Sequence, residues 1–259
     1  MLKRLGIFLI LAGMTVTTSA QTTPVSRDAT AVSLLQQSIT AMGGAPSIAA
    51  ITGCTTIATI QAVDATGVTV SQKQAMWIFS GSEIKDQVTD GSTTHVLVSG
   101  HGNGKSSDLQ QPIRRHVILA QIPFHLPAYV LSSDFLNANY SIIYVGSVSF
   151  NGQSALKVHL SNDSTPVSSV ISYQDWFFDP NTYLPLRVEF RLPSNENAAD
   201  YEEGAFNFSQ FGTVSGVYTP MQIDSFMDGQ LTSHIAIVSH VFNPQVSASI
   251  FDSVAPEVN

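Results

Sequence analysis

A single cysteine, Cys54, stands in the whole chain, so neither an intrachain disulfide framework nor a multi-cysteine zinc site can form. Charge is scarce as well: Asp, Glu, Lys and Arg make up 12% of residues, against roughly 25% in ordinary soluble domains. With 44% hydrophobic residues the chain lacks the composition of a disordered segment, which combines low hydrophobicity with high net charge. Basic residues are the rarer sign, 11 against 19 acidic, and they form no cluster, which argues against a nucleic-acid partner. Glycine and proline are too scattered for a collagen-like or linker-like chain. What is left is a weakly charged chain of 259 residues with ample material for a core.

Residues 1–20 read as an export leader, with 21–259 as one mature domain. Lys3 and Arg4 supply the positive start, Leu5 to Met14 the apolar stretch, and Thr18 and Ala20 the small residues before Gln21. The apolar stretch is about half the ~20 residues that a membrane span needs. No later run reaches spanning length, so the mature chain is expected to have no transmembrane helix. No cysteine follows the stretch, so a lipid-modified N-terminus is not indicated. Export with a lone cysteine predicts a bacterial periplasmic or secreted location.

The mature chain opens with one helical pattern. Asp28 can cap it, Val32, Leu35, Ile39 and Met42 recur at helical spacing, and Gly43-Gly44 can end it. Pro46 then permits a second short helix. From Thr55 onward β-branched and aromatic residues alternate with polar ones. The spacing predicts strands near 55–63, 68–80, 83–89, 94–99, 140–150, 154–160, 170–178, 184–191, 206–211, 217–225 and 230–242, with Gly and Asn-Gly or Asp-Gly turns between. Gly100–Asp108 reads as a polar loop. Pro112–Asn137 is apolar without alternation and is divided by Pro123 and Pro127, which predicts short helices. About ten strands with turns every few residues suggest a mainly β (α+β) chain whose sheet is curved or closed into a barrel.

Period-two alternation separates the faces. Leu156, Val158 and Leu160 share one side against Lys157 and His159; Leu186, Val188 and Phe190 share one against Arg187, Glu189 and Arg191; Phe206 and Phe208 oppose Asn207 and Ser209. The only apolar pieces outside strands are the first helix and the Pro-broken segment. Alternation leaves two interiors open, a packed core or a cavity.

Reactive motifs are thin. Gly100–Ser106 is one residue short of a phosphate-binding loop and no amphipathic helix follows it. Ser82 and Lys85 have the spacing of a serine–lysine pair, but they sit in a strand-and-turn stretch that cannot place them one helical turn apart. No G-x-S-x-G and no H-E-x-x-H is present. His95 with His101, and His234 with His240, could share strand faces, yet neither pair has an evident third metal ligand. Glu196, Asp200, Glu202 and Glu203 read as a solvated loop, and Cys54 as a small buried residue.

Phe178-Asp179-Pro180-Asn181-Thr182-Tyr183-Leu184-Pro185-Leu186-Arg187 resembles the strand–turn–strand of the LolA/LolB-like periplasmic lipoprotein carriers and lipoprotein-sorting proteins. The opening helix ending in Ala41-Met42-Gly43-Gly44, the stretch Gly216–Pro220, and the close from Phe242 through Phe251 to Pro256 agree in order. The resemblance implies an unclosed antiparallel β-barrel, covered by the N-terminal helix and a short-helix lid, around a hydrophobic cavity for acyl chains. It implies no cofactor, no metal and no catalytic residue. Its gating arginine has Arg114 and Arg115 as candidates. On this reading Trp77, Phe79, Leu156, Val158, Leu160, Val188, Phe190, Phe206 and Phe208 line the cavity, and Leu126, Tyr129 and Val130 belong to the lid. The expected partner is a lipid or lipoprotein acyl chain, held without catalysis. The alternative is an envelope sensing or scaffolding module with a filled core, which binds a protein partner through its lid or a sheet edge.

Overall fold

The computed structural model describes residues 24–109 and 112–257. The proposed leader, residues 1–20, lies outside the described residues. The elements in chain order are α1 (Ala29–Ala41), α2 (Gly44–Ala49), β1 (Gly53–Val63), β2 (Thr69–Ser80), β3 (Glu83–Asp90), β4 (Thr93–Gly100), β5 (Asn103–Ser106), α3 (Arg115–Leu119) and α4 (Pro127–Leu136). There follow β6 (Tyr140–Phe150), β7 (Gln153–Asn162), α5 (Pro166–Ile171), β8 (Gln174–Phe178), β9 (Pro185–Pro193), β10 (Tyr201–Val214), β11 (Val217–Met227), β12 (Gln230–Phe242) and a 3₁₀ turn at Ala248–Asp252.

The strands form one antiparallel sheet in the order β5-β4-β3-β2-β1-β12-β11-β10-β9-β8-β7-β6, with β5 and β6 left as edges. It is therefore an unclosed barrel, mainly β, as expected. Every neighbour except the β1–β12 pair is adjacent in sequence, so the sheet is two meanders joined where the first strand meets the last. Helices α1, α2 and α4 pack together and onto β6 and β11.

Local chemistry accounts for the main elements. Asp28 caps α1 by accepting from the backbone N–H groups of Thr30 and Ala31. The helix buries Ala31, Leu34, Leu35 and Ile39, while Val32 is half-buried, so the buried stripe is rotated slightly from the expected one. Gly43 has φ of 121°, and a side chain there would collide with the Gly216 carbonyl, so only glycine lets α1 end against β11. In the β8–β9 turn, Asp179 Oδ1 accepts from the N–H groups of Asn181 and Thr182 at 2.7 and 2.8 Å, which explains the aspartate that leads this motif.

Three differences from the sequence expectation have physical reasons. The loop expected at 100–108 contains the short strand β5, because the turn at His101-Gly102 brings Asn103–Ser106 back onto β4. The strand expected at 170–178 begins only at Gln174, since Pro166 and the Thr165 cap turn residues 166–171 into α5. The third is a second layer on the convex side. Met76, Ile78, Val96 and Val98 point away from the main core and are covered by Phe251 in the C-terminal segment. Lys85, fully buried there, reaches Glu257 Oε1 and the Ala255 carbonyl, both at 2.7 Å.

Candidate functional site

Strand register fixes which side chains share the concave face. Cys54, Thr56 and Ala58 of β1 pair with Phe79, Trp77 and Ala75 of β2, which in turn meet Ile84, Asp86 and Val88 of β3. On the other flank β1 meets Phe242 and His240 of β12. The face then continues through Ile223, Phe208 and Phe206, Val188, Trp176 and Val158.

The concave face is filled unevenly. Over β7–β10, Trp176 stacks on Phe208 and Phe178 at 6.0 and 6.4 Å between ring centres. Phe124 stacks on Phe190 at 4.4 Å, so the segment leading into α4 completes this packing. His125, the next residue, turns the other way. It lies 4.8 Å from Trp77 and 6.3 Å from His240. Here, over β2–β4, two adjoining clefts of about 370 and 170 Å³ remain. They share Phe79, Ile84, Gln121 and Pro123 as walls. The outer cleft opens past Arg115, Leu119 and His101; the inner one ends at Trp77, Phe206, Asp86 and His125.

The roof over these clefts is α3 with the chain that follows it. His116 Nε2 is 2.7 Å from the Ser194 carbonyl oxygen, and Arg114 donates to the Glu196 carbonyl at 3.0 Å. Gly104 on β5 packs directly beneath Ile113 and Ile118, leaving no room for a larger residue. Thus α3 is tied to the β9–β10 loop on one side and to β5 on the other. Arg114 is committed to this tie, whereas Arg115 lines the outer cleft.

Polar groups occupy the two ends. At the mouth, His101 Nδ1 pairs with Glu83 at 2.8 Å. At the inner end, burial pushes Asp86 up to about 6, with a hydrogen bond from Trp77 acting against the rise. Burial, reinforced by the neighbouring His240, lowers His125 to about 3, and burial lowers His240 to about 4. His240 Nδ1 is bonded to the Thr56 hydroxyl at 2.8 Å, and Cys54 Sγ is 3.5 Å from that hydroxyl. Burial raises the Cys54 thiol to about 11, so it is no nucleophile at neutral pH. Among the described residues, Asp86 Oδ1, His125 Nε2 and His240 Nε2 are buried with no hydrogen-bond partner.

Of the residues expected to line a cavity, Trp77, Phe79 and Phe206 border the inner cleft. Val158, Leu160, Val188, Phe190 and Phe208 are buried in the aromatic packing, and Leu156 is partly buried against it. In the expected lid, Leu126 at the start of α4 and Val130 within it are buried, and Tyr129 of the same helix packs on Phe79 at 4.6 Å. The sequence reading did not single out Asp86 or assign His125 a role. A signal for Asp86 was present: it interrupts the apolar stripe Ile84, Val88 at the position where a third hydrophobe belongs.

Among the described residues no cluster of three or more His, Cys, Asp or Glu side chains could hold a metal ion. His95 pairs with Asp108 and His101 with Glu83; His234 pairs with Asp224 while His240 is turned inward. No helix of the described residues is long and apolar enough to cross a membrane.

No family model and no curated protein matches this sequence. Solved structures match its fold. A LolA superfamily protein from Nitrosomonas europaea aligns with a TM-score of 0.52 at 14% identity, over 85% of this chain and 96% of that one. A domain assigned to the outer membrane lipoprotein-sorting proteins, from Vibrio parahaemolyticus, aligns at 0.51 and 12% identity, over 85% and 95%. A DUF1329 family protein from Desulfovibrio piger aligns at 0.52 and 12% identity, over 88% and 98%. At these identities the likeness establishes architecture. The chain has a LolA-like fold, the one seen in proteins of lipoprotein sorting.

Proposed function

We propose that this protein is a non-catalytic binding or carrier protein for a lipid or lipoprotein acyl chain, working in the bacterial periplasm or outside the cell. The observation that carries the reading is the pair of adjoining clefts between β2–β4 and the roof at residues 115–125. Their walls are Phe79, Ile84, Leu119 and Pro123 outside, then Trp77 and Phe206 within. The outer cleft, about 370 Å³, has the size of a ligand pocket, roughly 300–1,000 Å³, and the inner one, about 170 Å³, extends it. Each methylene moved from water into such a cleft gains about 0.8 kcal/mol, so area and shape suffice for binding and no reactive group is needed. Arg115 at the mouth suits an anionic head group. The structural neighbours described as lipoprotein-sorting proteins support the same reading.

The test is extraction and native mass spectrometry of the purified mature protein, together with uptake of a fluorescent fatty acid. Co-purified acyl lipid, and dye uptake lost in Trp77→Ala, are the expected results. A protein that carries no lipid and takes up no dye defeats the reading. A second reading has its own observation: β6 is a sheet edge that pairs with Ser26 and Asp28 at Ile142, and beyond that point Ile143 and Val145 are exposed. Such an edge can accept a strand of a protein partner.

A further inference from the structure

We infer that the inner end of the cleft recognises a hydroxyl group on the chain it binds, with Asp86 and His125 as the recognising pair. The ligand class is then a hydroxylated acyl chain rather than a plain hydrocarbon one. This rests on the carrier reading and narrows it. A site for hydrocarbon alone needs no polar wall, yet both side chains border the inner cleft beside Trp77, Phe79, Ile84 and Phe206. His125 is 9% exposed, and its Nε2, like Asp86 Oδ1, has no partner among the described residues. Leaving such atoms unmatched is costly, and a methylene matches neither. A hydroxyl matches both, because it donates to the carboxylate and accepts from the N–H of a neutral imidazole. The low affinity of His125 for protons agrees with an imidazole that stays neutral. A carboxylate head at this depth would face Asp86 as a like charge. An ammonium would have to leave water for an aromatic wall with one carboxylate to meet it, the costlier exchange.

Trp77 is the neighbour that the two residues share. Asp86 is in register with Trp77 on the concave face, and the His125 ring lies tilted against the same Trp77 ring from the roof, 4.8 Å between centres. The indole positions both.

The experiment compares dodecanoic acid, 3-hydroxydodecanoic acid and 12-hydroxydodecanoic acid by calorimetry on the whole mature protein, delipidated beforehand. The expected result is that one hydroxylated acid binds at least tenfold more tightly than dodecanoic acid. In Asp86→Leu and in His125→Phe, which keeps a ring against Trp77, that preference should fall to within about twofold while dodecanoic acid still binds. The plain acid controls for folding in each variant. Equal affinity for all three in the unaltered protein, or a preference that survives both substitutions, overturns the inference and leaves the carrier reading standing. Binding of none of the three overturns both.

Discussion

On the concave face of β7–β10, Trp176 lies between Phe178 and Phe208, with Phe124 stacked on Phe190 nearby. On the same face of β2, Trp77 has the half-exposed position beside the clefts, and His125 is the ring against it. Both tryptophans point to the concave face of one sheet. What separates them is the cover. Over the first region helices α1, α2 and α4, seated on β6 and β11, bring Leu34, Leu35, Ile39 and Leu131 into the core that holds Trp176. The second is roofed by the five-residue α3 and an extended stretch broken by Pro123. A sheet too wide for its helices leaves the remainder open, and here the remainder falls over β2–β4.

The sharpest way to break this comparison is to remove each tryptophan. Trp176→Ala deletes a fully buried ring and should cost about 3–5 kcal/mol of unfolding free energy. Trp77→Ala should cost about 1–2 kcal/mol, since part of that ring already faces open space. Fatty-acid uptake should respond to Trp77→Ala by at least tenfold, and in the surviving folded fraction of Trp176→Ala it should not. Urea denaturation and dye titration read the two effects separately. Equal stability losses would show that the second region is filled as well.

How much of this was legible beforehand differs by level. Strand positions and the facing of Leu156, Val158, Leu160, Val188, Phe190, Phe206 and Phe208 follow from alternation, which is local. Whether an inward residue meets protein or open space depends on where α4 and residues 121–125 land, and no spacing along the chain encodes that. The convex layer shows the same limit with a visible trace. In Ala75-Met76-Trp77-Ile78-Phe79 both strand faces are apolar, the pattern of a strand covered on two sides, yet its cover lies some 170 residues away at Phe251 and Glu257. Likewise β8, Gln174-Asp175-Trp176-Phe177-Phe178, is buried along its whole length and does not alternate in burial. Its partner on the outside is an ion network in which Asp175 meets Lys157 and His159 at 2.7 and 2.8 Å.

Protonation sharpens the comparison next, because Asp134 in the filled region and the two buried histidines of the open one lose stability in opposite directions of pH. In the filled region, burial raises Asp134 to about 7; Gln174 donates to it at 2.9 Å and only partly offsets the rise. Its folded value exceeds the ordinary 3.8, so its contribution to stability is complete below 3.8 and is lost as pH climbs through about 7. Asp134→Asn keeps an oxygen for Gln174 and carries no charge. It should be more stable than the unaltered protein at pH 8, by roughly 2 kcal/mol, and should lose that advantage by pH 4. Denaturant midpoints across this range measure it, and a constant offset at all pH values would contradict the burial argument.

In the open region Asp86, raised to about 6, follows the same sign as Asp134, and the two histidines have the opposite one. His125 and His240 are held below the ordinary 6.5, at about 3 and about 4. Their contribution is present above 6.5 and is lost as pH falls toward those values, because the unfolded chain takes up protons first. His240→Gln retains a partner for the Thr56 hydroxyl and removes one of the two titrating rings. The expected gain is about 1 kcal/mol at pH 4.5 relative to the change at pH 8. A variant whose acid limb is as steep as that of the unaltered protein would place the acid sensitivity elsewhere.

The smallest effect separates the two regions most cleanly. Asp28 Oδ1 accepts from Thr30 N–H at 2.8 Å and Ala31 N–H at 3.0 Å, two donors that α1 cannot satisfy internally. Asp28→Ala should therefore cost about 1 kcal/mol. Through α1 that loss falls on the packing with α2, α4 and β6, all belonging to the filled region. The clefts share no wall with α1, so acyl affinity measured at a temperature where the variant is folded should stay within twofold. A large fall in affinity would mean that α1 and the roof move together, and that filled and open regions are one mechanical unit rather than a rigid base beside a receptive groove.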